Sequence, residues 1–209
     1  MIAAVIELVD VRALTALYRD TVRGFDRVAA RPDFIAAIAA LLGVLVFDTL
    51  PGLFIGNAVS LLLLLYRASR PNVAVLARVP GAAGQYTDVT RHPENEPVPG
   101  IVVLRPESGL FFANADAVRD RIRSVVAPGV TGIVLDAATM PFIDVTAATM
   151  LGQLVSGLDR EGVRLVLARD IGQVRDLLGA SDAGGLLRAY PTIDDAVTAL
   201  ARQQPARNE

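Results

Sequence analysis

Two unlike parts joined by a proline-rich stretch are predicted: a membrane α-helical hairpin, then an α/β domain. In the second part a mixed sheet carries helices in the order β-β-α-β-α-β-α-β-α. Three observations lead there. Residues 34–66 form an apolar run of 33 residues broken by one charge, Asp48, and one proline, Pro51. Residues 71–99 hold Pro71, Pro80, Pro93, Pro97 and Pro99 with Gly81 and Gly84. From Gly100 onward short aliphatic runs alternate with segments of helical period.

The apolar run is too long for one span and short for two, because a bilayer core of about 30 Å needs about 20 helical residues. The sequence Asp48-Thr49-Leu50-Pro51-Gly52 breaks it in the middle, where proline removes an amide donor and disfavours helix before itself. A hairpin of two short helices, about 34–47 and 52–66, and a single tilted, kinked helix both fit. Arginines favour the hairpin. Arg19, Arg23, Arg27 and Arg31 precede the run and Arg67, Arg70 and Arg78 follow it, which keeps both ends on the cytoplasmic side. Ala36, Ala37, Ala39, Ala40 and Gly43 on one arm, and Gly52, Gly56, Ala58 and Ser60 on the other, permit close packing in a larger bundle. The first eighteen residues carry Glu7, Asp10 and Arg12 among apolar residues. They read as an interfacial helix or the stump of a membrane helix, not a signal peptide.

Composition narrows the chemistry. The chain has 209 residues, 53% of them hydrophobic, with a formal net charge of −2, no cysteine and one histidine, His92. The charge argues against a nucleic-acid binder. The missing thiols exclude disulfides, thiolate metal sites and cysteine nucleophiles. One histidine excludes a multi-histidine metal site. No nucleophile–base constellation is visible, so no enzyme, cofactor or metal is expected.

In the second part, 101–104 and 110–113 read as two strands of a hairpin turned by RPESG. Asn114 is placed to cap a helix bearing Val118, Ile122 and Val125, with Asp116 early and Arg121 and Arg123 late. GIVLDA (132–137) reads as a buried strand. Asp144 is placed to cap a helix with Ala148, Leu151, Val155 and Leu158 on its apolar face. VRLVLA (163–168) is a further strand and 171–178 a short helix. Tyr190 ends the last strand. Thr192 and Asp195 form a capping box opening a helix through Leu200.

This order, with LDAATMPFIDVTAATML at its centre, resembles the STAS domain of sulfate transporters and anti-sigma-factor antagonists. SLLLLLYRASRP, the stretch RVPGAAGQYTDVTRHPENEPVPGIVVLRP and GLFFANADAVRDRI resemble the C-terminal third of a SulP-type anion transporter. The resemblance implies a membrane segment over 1–70, a linker over 71–98, a cytoplasmic STAS domain over 99–203 and a tail over 204–209. It implies a multi-pass inner-membrane protein moving a sulfate-like inorganic anion. SulP transporters have about fourteen membrane helices in two inverted repeats, and their anion site lies in earlier segments. The chain is therefore expected to be inactive alone, as a fragment or as a subunit completed by the remaining helices or a partner. Homodimer contact through the STAS domain is also implied. The alternative is a membrane-tethered regulatory binding protein of the anti-sigma-antagonist type.

Within Phe142-Ile143-Asp144-Val145-Thr146, Thr146 falls on the position that carries a phosphorylated serine in anti-sigma antagonists. A phosphate there would meet free helix-start amides; the plainer reading of Thr146 is a helix-start residue. Asp136 and Asp144 face the same loop. They would contact a regulatory protein, a nucleotide or its cation, or simply end and cap their elements. Some domains of this family bind guanine nucleotides, although no GxxxxGK[ST] or GxGxxG run occurs here. Asp48, alone in the apolar run, is either a functional membrane carboxylate or a solvated turn residue.

Overall fold

The protein is described from a computed structural model, which covers residues 38, 39, 41–43, 46, 49–170, 172–180 and 185–202. The chain divides into two units, Met1–Arg67 and Ala68–Glu209.

In the first unit, α1 (Thr49–Ala68) is a 20-residue helix. Pro51 is accommodated in its first turn, where the missing N–H would have no helical partner. Leu50, Leu53, Phe54, Leu61, Leu62 and Leu64 are all more than half exposed. Leu50–Ala68 is long and apolar enough to cross a membrane, by length and composition. Gly52 and Gly56 are instead buried. A Cβ added to Gly43 would come within 3.0 Å of the Gly52 Cα. Most of the predicted first arm (34–47), with Asp48, lies outside the described residues, as do the N-terminal helix and the tail.

The second unit is a six-stranded sheet in the order β2-β1-β3-β4-β5-β6, comprising β1 (Val73–Arg78), β2 (Tyr86–Asp88), β3 (Ile101–Pro106), β4 (Gly132–Asp136), β5 (Arg164–Ala168) and β6 (Ala189–Tyr190). β1 runs antiparallel to β2 and β3; β3, β4, β5 and β6 are parallel. Each parallel connection crosses through a helix: α2 (Ala115–Ser124), α3 (Val145–Arg160) and α4 (Gly172–Ala180). α5 (Ile193–Ala201) follows β6.

Alternation along the strands sorts the helices. Leu104, Ile133, Leu135 and Leu167 pack with Val118 and Ile122 of α2, Leu151, Leu154 and Leu158 of α3, and Val174 and Leu178 of α4. Ile101, Val103, Val134, Val166 and Ala168 point the other way, onto Ile193, Ala196, Val197 and Leu200 of α5. β4 is buried at every position because helices cover both faces. Both cores consist of residues between Val73 and Leu200, without any from α1. The domain from Ala68 onward therefore holds what it needs to fold alone.

Three expectations are corrected. Residues 110–113 do not pair with 101–104, because β3 already has β1 on one side and β4 on the other. Leu110 instead bridges Ile143 in parallel, its amide donating to the Phe142 carbonyl at 3.0 Å. The stretch 71–98 is not a bare linker. VAVLAR forms β1, a strand between two others, and the prolines fall outside β1 and β2. Gly81 and Gly84 take left-handed φ values of 75° and 77° in the loop joining them, which glycine adopts without the Cβ penalty. Asn114 occupies the N-cap of α2 but makes no side-chain cap bond. Its side chain, fully buried, accepts from the Phe111 amide and donates to the Gly109 carbonyl, each at 2.9 Å. The other two caps form as expected. Asp144 Oδ1 accepts from the Ala147 amide at 2.8 Å, and Thr192 Oγ1 accepts from the Asp195 amide at 3.0 Å.

Candidate functional site at the carboxyl edge of the parallel strands

Three apolar strands end on a charge: IVVLR at Arg105, GIVLD at Asp136 and RLVLA just before Arg169. Parallel register sets these ends side by side. Leu104 pairs with Leu135, and Asp136 with Ala168. Arg105 and Asp136 share the strand parity of Val103 and Val134, so they leave the sheet on the side that α5 covers further down.

The Asp136 side chain is fully buried between the two arginines. Arg105 Nε donates to Oδ2 at 2.6 Å. Arg169 grips both oxygens, Nε donating to Oδ1 at 2.9 Å and Nη2 to Oδ2. The Ala138 amide donates to Oδ1 at 3.2 Å, turning the chain out of β4. Arg169 takes a left-handed φ of 55°, which carries its side chain back over the strand end. The carboxylate is thus fully engaged, and a buried charge demands such pairing. The two arginine side chains are 23% and 38% exposed.

Asp144 is also engaged through both oxygens, Oδ1 capping α3 and Oδ2 accepting from the Phe112 amide at 2.8 Å. It therefore staples the 109–114 loop to the start of α3. Thr146 is the second residue of α3 and is exposed. It lines a groove of about 420 Å³ between α2 and α3 with Phe112, Asp116, Arg119, Val145 and Gln153. Arg119 already pairs with Asp116 at 3.0 Å. Phe112, Phe142 and Val145 expose about half or more of their surface around the same loops. No cluster of metal-ligating side chains occurs among the described residues.

The structure brings Asp144 and Thr146 together at the start of α3. Asp136 belongs to a separate cluster with the arginines. Sequence reasoning missed Arg105 and Arg169. The available signal was three aliphatic runs of similar length, each closed by a charge, which parallel pairing aligns.

A second cluster joins β1 and β2 to α5 on the same face of the sheet. The buried Tyr86 hydroxyl donates to Asp194 of α5 at 2.7 Å and accepts from Arg78 Nη2 at 3.1 Å. Burial first, and then the Asp194 bond, push the phenol above its usual range.

The STAS domain family matches residues 92–196. Sulfate transporter 1.2 of Arabidopsis thaliana is 28% identical over 95% of this chain, which covers 31% of that protein. A protein of Mycobacterium tuberculosis described as a probable sulfate transporter is 36% identical over 83% of this chain, covering 32% of its own length. The chain thus spans about a third of the relatives it matches. Among solved structures, the murine solute carrier 26 family member A9 anion transporter superposes with a TM-score of 0.74 at 22% identity, over 85% of this chain and 30% of that one. That likeness establishes the fold. The Arabidopsis and Mycobacterium relatives are both described as sulfate transporters. The chain belongs to the STAS domain family and is homologous to the C-terminal portion of the SulP/SLC26 sulfate transporters.

Proposed function

We propose that this chain supplies the final gate-region helices and the cytoplasmic STAS regulatory domain of a SulP-type transporter of sulfate-like inorganic anions. The observation that carries the reading is the apolar α1, whose leucines and phenylalanine face outward while its glycines are buried. A water-soluble helix would bury that surface; a membrane helix exposes it to lipid and keeps small residues for helix contacts.

The fit of Gly43 against Gly52 supports a helical hairpin. In one straight helix those positions would stand about 13 Å apart along the axis, whereas a Cβ on Gly43 would meet the Gly52 Cα at 3.0 Å. With arginines on both flanks, the hairpin tip faces outward and the STAS domain lies in the cytoplasm. The remaining helices, from the same polypeptide or a partner, complete the anion path. Thr146 serves as a regulatory phospho-acceptor, supported by its exposure and by Arg119 on the same groove. Asp144 fixes the geometry of that loop for a regulatory partner, and Asp136 does the same for the strand ends.

Sulfate uptake into proteoliposomes tests the function. The chain alone should give no flux above empty vesicles, and co-reconstitution with the preceding helices of a SulP transporter should restore it. Failure to restore flux in a complex that assembles and is correctly oriented would overturn the transporter reading. Protease access in inside-out and right-side-out vesicles tests the orientation.

A further inference from the structure

The arginine pair that encloses Asp136 retains unused donors. Arg105 engages the carboxylate through Nε alone, leaving both Nη groups; Arg169 uses Nε and Nη2, leaving Nη1. Every buried side-chain donor among the described residues has a partner, so these remaining groups open to solvent. Two guanidiniums against one carboxylate leave a net charge of +1. All the acceptor capacity of Asp136 near them is occupied by the arginines and the Ala138 amide. The carboxylate thus orients two planar forks whose outward N–H groups match an oxyanion. The Thr139 hydroxyl, just beyond β4, is committed to the Pro106 carbonyl at 2.7 Å and does not compete.

We propose that Arg105 and Arg169 form a binding site for a tetrahedral oxyanion, a phosphate or sulfate group, at the carboxyl edge of β3 and β5. Two sources carry that chemistry: a free inorganic oxyanion and the headgroup of an anionic phospholipid. The lipid source is included because only a short stretch of chain separates the end of α1 at Ala68 from the start of β1 at Val73. The site itself is argued from the STAS domain alone; only the lipid source rests on the membrane reading of α1.

Arginine Nε–H resonances of the domain from Ala68 onward provide the test. Titration with sodium sulfate or phosphate should move the Arg105 and Arg169 signals saturably, while chloride at equal ionic strength should leave them in place. Asp136→Asn, which turns one acceptor oxygen into an N–H2 donor facing the two forks, should weaken binding by releasing them. Arg105→Gln and Arg169→Gln should each abolish it. The full chain in phosphatidylcholine nanodiscs, with and without phosphatidic acid, separates the sources: a response confined to phosphatidic acid identifies a lipid site. Signals unmoved by sulfate, phosphate and phosphatidic acid alike, or moved equally by chloride, would show the pair to be only a clamp on the strand ends. Because the unmodified protein is the main probe, misfolding of an arginine variant leaves the test intact.

Discussion

The phenol of Tyr86, on β2, donates a 2.7 Å hydrogen bond to Asp194, in the first turn of α5. It ties the edge of the sheet to a helix more than a hundred residues later, and it lies among apolar side chains on the face that α5 covers.

Replacing Tyr86 with Phe should cost about 1 kcal/mol at pH 7, the net worth of one hydrogen bond. The pH profile is more diagnostic. The folded protein holds the phenolic proton more tightly than the unfolded chain, whose value is about 10.0. The stabilising contribution is therefore complete below pH 10 and disappears as pH rises through the higher folded value. Urea unfolding of the soluble domain at pH 7 and at pH 10.5 should show the wild-type advantage over Tyr86→Phe shrinking at the higher pH. An advantage that grows with pH would contradict the placement of this proton.

Asp144→Ala removes both the cap on α3 and the acceptor for the Phe112 amide. A cap alone is worth about 1 kcal/mol and up to about 2, so the domain should lose roughly 2 kcal/mol in urea unfolding. Asp144→Asn, which keeps an acceptor at the cap, should recover more than half of that loss.

Asn114→Asp tests the buried loop. The carboxylate can still accept from Phe111 but cannot donate to Gly109, and it places a charge at a fully buried position. A loss of about 3 kcal/mol is expected, from an unmade buried bond together with desolvation. Thermal denaturation of the soluble domain would reveal it as a lowered Tm.

Gly43→Leu probes the membrane part. The Cβ would already lie 3.0 Å from backbone, which cannot swing aside as a flexible side chain can. The expected result is a lower thermal midpoint for the full chain in detergent, with the soluble domain's own transition unchanged. Equal midpoints for the variant and wild type would show that Gly43 and Gly52 do not approach each other in the membrane.

Much of the α/β domain was legible because its signals are local. Aliphatic runs bounded by turns identified β3, β4 and β5, and the Asp144 and Thr192 caps marked their helices correctly. What failed depended on distant partners. LFFA has the composition of a strand, but the positions beside β3 were already taken by β1 and β4. VAVLAR was obscured by its neighbouring prolines, although none falls inside the strand. Asn114 is a good capping residue, yet the loop amide of Phe111 and carbonyl of Gly109 claimed its side chain. At the candidate site, Asp136 stood out as a strand-ending acid. Its arginines lie 31 and 33 residues away, a separation that no local pattern encodes.

The position of α5, alone among the described helices over one face of the sheet, has a consequence for how this gene tolerates damage. A premature stop codon ahead of Ile193 would spare every strand and all three crossover helices. It would nevertheless leave Ile101, Val103, Val134 and Val166 bare to water along neighbouring strands. Such a product invites clumping and disposal by cellular quality control, although its sheet is intact.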